Sequence, residues 1–162
     1  GGHPDMVDIV GVNFYYNNQW ELPGYQWLSW MNEGNDPRFR PLHALLLEVY
    51  KRYRKPIVLS ETSHPGIDRP AWIQMIAREC VLARQAGVPL EGVCLYPIID
   101  RPDWDHLTHW HRSGLWDATP DGVELQPGNV PGRYLYQPYA DALAQAQAII
   151  GNVPVMNNGS AG

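Results

Sequence analysis

Glu61 closes the apolar run Pro56-Ile57-Val58-Leu59-Ser60, where a charge is costly unless it has partners or a task. A carboxylate in that place can act as nucleophile, general base or metal ligand, or it can close a salt bridge at a sheet rim. Two further apolar runs also end in polar and aromatic residues. The first ends in Asn13-Phe14-Tyr15-Tyr16, and the last runs from Tyr96 through Asp100 and Asp103 to Trp104. His64, His106, His109 and His111 raise a metal site, but they lack HxxxH or HExxH spacing on a helix, so no metal is expected. Ser60 or Ser63 with His64 and Asp100 could form a nucleophilic triad, yet no GxSxG elbow surrounds either serine. Seven Trp and nine Tyr stand against two Phe. Their apolar faces and hydrogen-bonding edges suit a sugar ring as well as an ordinary core.

The elements that must position these residues alternate. Val7 to Tyr16 is β-branched, then aromatic, and reads as a strand buried on both faces. The stretch from Asn17 to Arg40 has no sustained period and reads as a functional loop or short local helices. Leu42, Leu45, Leu46, Val49, Tyr50 and Tyr53 recur at helical spacing behind Pro41, with Lys51, Arg52, Arg54 and Lys55 complementing the dipole at the far end. A second strand spans Pro56 to Ser60, and a helix runs from Pro70 to about Ala86, with Gly87 as the stop. Gly92 to Ile99 forms a third strand. The chain is then loop-like through about Pro131, before a last helix carrying Tyr139, Leu143, Ala146 and Ile150 on one side. Strand and helix in alternation predict an α/β protein with a parallel sheet, whose ligand site lies at the carboxyl ends of the strands.

The chain of 162 residues, 44% hydrophobic, is long enough for a real core. A net charge of -5 without a basic stripe argues against a nucleic-acid partner. No stretch approaches the roughly 20 apolar residues of a membrane span, and no signal pattern opens the chain. Cys80 and Cys94 each lie in apolar patterns and read as buried thiols of a reducing, cytoplasmic compartment. The opening Gly1-Gly2-His3-Pro4 has no initiating Met, so the sequence is expected to begin inside a longer protein. Residues 152–162 have the composition of a flexible tail or linker, so further domains at both ends are possible.

The strand ends together resemble the family 1 glycoside hydrolases, the β-glucosidase and 6-phospho-β-glucosidase group. Asp8-Ile9-Val10-Gly11-Val12-Asn13-Phe14-Tyr15 is similar to the family's sixth-strand pattern D-F-I-G-I-N-Y-Y. Val58-Leu59-Ser60-Glu61-Thr62-Ser63 resembles the seventh strand, which ends in T-E-N-G. Tyr96-Pro97-Ile98-Ile99-Asp100-Arg101-Pro102-Asp103-Trp104 follows the eighth-strand pattern W-S-L-L-D-N-F-E-W, and Arg112-Ser113-Gly114-Leu115 resembles the later R-F-G-L. These matches cover most of residues 5 to 117.

The resemblance implies the C-terminal portion, about strands 6 to 8, of a (β/α)8 barrel occupying residues 1–151. It implies a retaining β-glycosidase acting on a small carbohydrate without cofactor. Glu61 would attack the anomeric carbon and Asn13 and Tyr15 would orient it. Asp103 and Trp104 would hold sugar hydroxyls, and Tyr96 would stack under the ring. Three departures bear on which sugar is taken: Thr62 for Asn, Tyr96 for Trp and Asp103 for Glu. The segment before the last helix has Arg112 but no Lys/Arg cluster, which disfavours a phosphate.

Retaining hydrolysis needs a second carboxyl group roughly 5 Å from the first. The family's acid/base lies in an N-E-P motif that this sequence lacks. Glu33, Asp100 and Asp103 are the local candidates, and an N-terminal half is the more natural source. Three strands cannot close an eight-stranded barrel, so the isolated piece is expected to be inactive and poorly soluble. Two other readings stay open: a carbohydrate-binding relative without catalysis, and a barrel segment of a larger multidomain protein.

Overall fold

The computed structural model describes residues 3–32, 36–126 and 128–153. Its frame is a three-stranded parallel sheet in the order β1-β4-β5, with β1 at Val10–Asn13, β4 at Ile57–Thr62 and β5 at Leu90–Leu95. Helix α1, Leu42–Tyr53, joins β1 to β4, and α2, Arg69–Gln85, joins β4 to β5. Parallel neighbours require such crossovers, so the alternation in the sequence determines the sheet type. Helix α3, Gln137–Gly151, packs on α2.

Five short elements add detail to the loops. The Asn17 to Arg40 stretch contains an antiparallel pair, β2 at Trp20–Glu21 and β3 at Gln26–Trp27, followed by a 3-10 turn at Trp30–Asn32. Beyond β5, Trp116–Asp117 (β6) pairs with Tyr134–Leu135 (β7) inside a region with no apolar period.

The core lies between the sheet and its helices. Ile57 and Leu59 point into it from β4, Leu42 and Leu46 from α1, and Trp72, Ile73, Ile76 and Cys80 from α2. Trp72 is fully buried, with Phe14 stacked on it at 5.7 Å and its indole N–H donating to Thr62 Oγ1 at 2.9 Å. Thr62 therefore turns into the core, where its hydroxyl satisfies a buried donor.

Charged side chains tie the helices together. Glu79 of α2 accepts the His43 backbone N–H and contacts the His43 ring, both at 2.8 Å, capping an α1 start for which Pro41 supplies no side-chain acceptor. Arg84 donates to the Leu90, Ile150 and Val153 carbonyls, fixing the end of α3 to the start of β5.

Two expectations need correction. The strands are not buried on both faces: along β1, half-buried and exposed residues alternate, because only one face of the sheet carries helices among the described residues. For the same reason Cys94 is exposed on the outer strand β5 and is not a buried thiol. Cys80 is buried, and burial pushes its thiol up to about 12, which leaves it unreactive.

Candidate active site

Glu61 and Tyr15 emerge from the carboxyl ends of adjacent strands. The register between β1 and β4 slips after Val12, so that Val12 opposes Leu59 and Asn13 opposes Glu61. Ser60 is the extra residue of that irregularity, and its hydroxyl donates to Asn13 Oδ1 at 2.9 Å. A Cβ at Gly11 would lie 2.9 Å from Ser60 Oγ, so glycine makes room for this contact. Such a slip re-aims the residue after it. The Tyr15 hydroxyl donates to Glu61 Oε2 at 2.7 Å, and the Phe14 N–H donates to the Glu61 carbonyl at 2.9 Å. Burial first, then the Glu61 hydrogen bond and charge, hold the Tyr15 phenol far above its ordinary pKa. It therefore remains a proton donor throughout the working pH range.

Above this pair opens a cavity of about 420 Å³, lined by Glu61, Tyr15, Tyr96, Arg101, Trp104 and His111, with Ser63 and Ser113 at its walls. Tyr96 stands just past β5, its N–H bonded to the Thr62 carbonyl at 3.2 Å. The Arg101 guanidinium lies 4.7 Å over the Trp104 ring and 5.6 Å from the Tyr96 ring centre. Trp104 is 75% exposed and offers its free face to the opening.

The other sequence candidates lie around this cavity without lining it. Asn13 is occupied by Ser60. Asp103 accepts the N–H groups of Asp105 and His106 and binds His111 Nε2 at 2.7 Å, so it aims a cavity-lining histidine instead of facing the cavity. Asp100 is buried and accepts the N–H groups of Arg112 and Ser113 at 3.2 and 3.1 Å, fixing the returning segment that carries Ser113. Glu33 lies outside the described residues.

His64 packs among the rings of Tyr16, Trp30 and Trp72, and burial holds its pKa below the ordinary value, so it is a neutral core residue. The His109 and His111 rings are 5.1 Å apart. Among the described residues no group of three His, Cys, Asp or Glu could hold a metal ion.

Sequence reasoning missed Arg101 and His111 as site residues. The available signal for Arg101 was its place inside the polar run after β5, where the resembling pattern has Asn. His111 enters the sequence reading only as a metal ligand, and its pairing with Asp103 eight residues away has no pattern in the sequence.

Two expected outcomes follow from these contacts. Tyr15→Phe removes a hydrogen bond to a carboxylate, worth about 1.5–3 kcal/mol, and is expected to leave the fold intact, with an unchanged circular dichroism spectrum, because water in the cavity can take the vacated place on Glu61. Asp103 is held down to about 2, by the Asp105 N–H foremost, then by the His106 N–H and His111. Its folded pKa lies below the unfolded one, so its stabilisation of the 103–111 loop is complete above about pH 4. That stabilisation is lost as pH falls toward about 2. Fluorescence of the exposed Trp104 is expected to hold steady from pH 7 to 4 and change below, whereas Asp103→Asn should remove the acid transition.

No protein-family model and no curated protein matches the chain. Solved structures do. A β-glycosidase from the hyperthermophile Thermosphaera aggregans aligns with a TM-score of 0.54 and 18% identity, over 89% of this chain and 34% of that one. A β-glucosidase from Thermotoga maritima, in complex with noeuromycin, aligns with a TM-score of 0.58 and 15% identity, over 86% of this chain and 35% of that one. The chain thus spans about a third of the length of these relatives. No helix among the described residues is long and apolar enough to cross a membrane. At these identities the likeness shows the fold: the chain is similar to about one third of a β-glycosidase barrel, and the described residues form no closed barrel.

Proposed function

We propose that this chain carries the nucleophile side of a retaining β-glycoside hydrolase. The single observation behind this reading is the Glu61 carboxylate, at the end of the central strand, held by the Tyr15 hydroxyl at 2.7 Å on the floor of a cavity with aromatic walls. The Glu61 oxygen forms a bond to the anomeric carbon while the bond from that carbon to the leaving oxygen breaks. The leaving oxygen takes a proton from a general acid. Water then attacks the anomeric carbon, gives its proton to the same group and releases Glu61. Tyr15 keeps one lobe of the carboxylate occupied, so that the other faces the sugar. Tyr96 and Trp104 supply stacking faces, and Asp103 acts through His111.

Glu61 is the only carboxylate among the cavity-lining residues. We assign the acid/base to residues other than those lining the cavity here, a reading supported by the chain spanning about a third of the similar β-glycosidases. The same observation favours a second reading, a sugar-binding barrel that has lost its acid. Proton NMR of the first-formed product separates the two. Release of the β-anomer from an aryl β-glycoside by the native protein carrying this sequence supports retention; first release of the α-anomer contradicts it, and binding without turnover favours the second reading.

A further inference from the structure

Arg101 is a cation at the candidate site with no anion of its own. No carboxylate pairs with it among the described residues. One Nη1 hydrogen bond goes to the Pro102 carbonyl at 2.7 Å, and Nε is buried without a partner. The guanidinium is nevertheless fixed in place by the faces of Trp104 and Tyr96, at 4.7 and 5.6 Å. An unsatisfied buried donor on a charged group is costly, and native structures keep few of them without a reason.

A held planar fork that spends one Nη1 donor on Pro102 and has no partner at Nη2 among the described residues can still take the two oxygens of a carboxylate in a bidentate pair. The single guanidinium, without a second lysine or arginine lining the cavity, suits a group of one negative charge better than a phosphate. We propose that the pocket selects a β-glycoside bearing a carboxylate on its sugar ring, of the uronide class, and that Arg101 is the residue that reads it. The pairing neutralises the ligand's charge and so limits its repulsion of the Glu61 carboxylate, which lines the same cavity. Rings at Trp104 and Tyr96 fix the guanidinium in advance, so little side-chain entropy is lost when the ligand arrives. This inference rests on the sugar-pocket reading above but not on turnover.

Binding is the measurement, made by calorimetry on the native protein carrying this sequence with Glu61→Gln, so that no ligand is consumed. Methyl β-D-glucuronide, methyl β-D-galacturonide, the corresponding neutral uronamides, and methyl β-D-glucoside and its 6-phosphate are the probes. One of the two uronides is expected to bind about tenfold or more tightly than its uronamide, a charge-assisted bidentate pair being the difference. Arg101→Gln should abolish that ratio. Arg101→Lys should keep part of it, since the charge remains and the fork does not.

Equal binding of uronides and uronamides, a 6-phosphate that binds more tightly than both uronides, or a ratio unchanged in Arg101→Gln would overturn the proposal. If Arg101→Gln does not fold, Arg101→Lys and the wild-type ratio decide. Loss of covalent labelling at Glu61 with the uronide preference intact would sink the hydrolase reading and leave this one standing.

Discussion

Glu61→Ala is expected to reduce turnover of an aryl β-glycoside by at least about a thousandfold, because the proposed nucleophile is gone. The fold should survive. Glu61 is half-buried at a strand end, its side-chain partner is one phenol, and Ala keeps the backbone bond from Phe14. Tyr15 loses an acceptor but borders the cavity, where water can replace it. Added azide should restore part of the rate, since a small anion can occupy the space of the lost carboxylate and attack the anomeric carbon from the same face. That product is the α-glycosyl azide, formed by one displacement. Circular dichroism unchanged from wild type, with turnover reduced less than tenfold, would remove Glu61 from the chemistry.

The largest stability effect is expected at Arg69. This residue and Asp117 are each 2% exposed. The guanidinium donates to both Asp117 carboxylate oxygens, at 2.7 and 3.1 Å, and to the Gly114 and Gly66 carbonyls, at 2.6 and 2.7 Å. The Tyr136 ring lies 4.1 Å beneath it. One side chain at the start of α2 therefore holds the loop after β4, the strand β6 and the approach to α3.

Arg69→Ala strips a buried carboxylate of both its hydrogen bonds, leaving only the Arg112 guanidinium 3.7 Å away, and takes the donor from two carbonyls, at a cost of about 3–5 kcal/mol. Chemical denaturation of the native protein should show it as a lower midpoint with little change in slope. Asp117→Ala should be comparable. The double variant Arg69→Met with Asp117→Leu should cost less than the two single losses added, because neither charge is left alone. It should not recover fully, since the Gly66 and Gly114 carbonyls still lose their donor. An effect below about 1 kcal/mol for Arg69→Ala would mean that the clamp contributes no more than a surface pair.

The sequence carries the frame clearly. Helix α1 follows from apolar residues at helical spacing between Pro41 and the basic end, and it is found at Leu42–Tyr53. Strand β4 extends through Glu61 to Thr62, beyond the expected Ser60, because parallel pairing with β5 continues to Thr62 and Leu95. Tyr15, Glu61 and Tyr96, expected at the strand ends, stand around one cavity. What composition and spacing cannot carry is the path of the chain after β5.

There the backbone folds back, with Leu115 N–H bonded to the Ile98 carbonyl and Asp100 N–H to the Trp116 carbonyl, both at 2.8 Å. A Cβ at Gly114 would stand 2.4 Å from the Asp100 nitrogen, so this close crossing requires glycine there. The return turns Asp100 and Asp103 inward as backbone acceptors and brings Arg101 and His111 to the cavity. Long-range geometry of this kind leaves no periodic trace. Cys94 was misread for a related reason: an apolar strand pattern does not reveal whether anything covers its second face.

The nucleophile assignment is the central claim, and covalent trapping tests it most directly. The native protein carrying this sequence is incubated with 2-deoxy-2-fluoro aryl β-glycosides, as the glucoside, galactoside, mannoside and glucuronide, whose good leaving groups need little acid assistance. Digestion and mass spectrometry then locate any adduct. The account predicts one sugar per chain on the peptide containing Glu61, absent in Glu61→Gln. A folded native protein that takes no label from any of the four, or that carries it on another carboxylate, would contradict it.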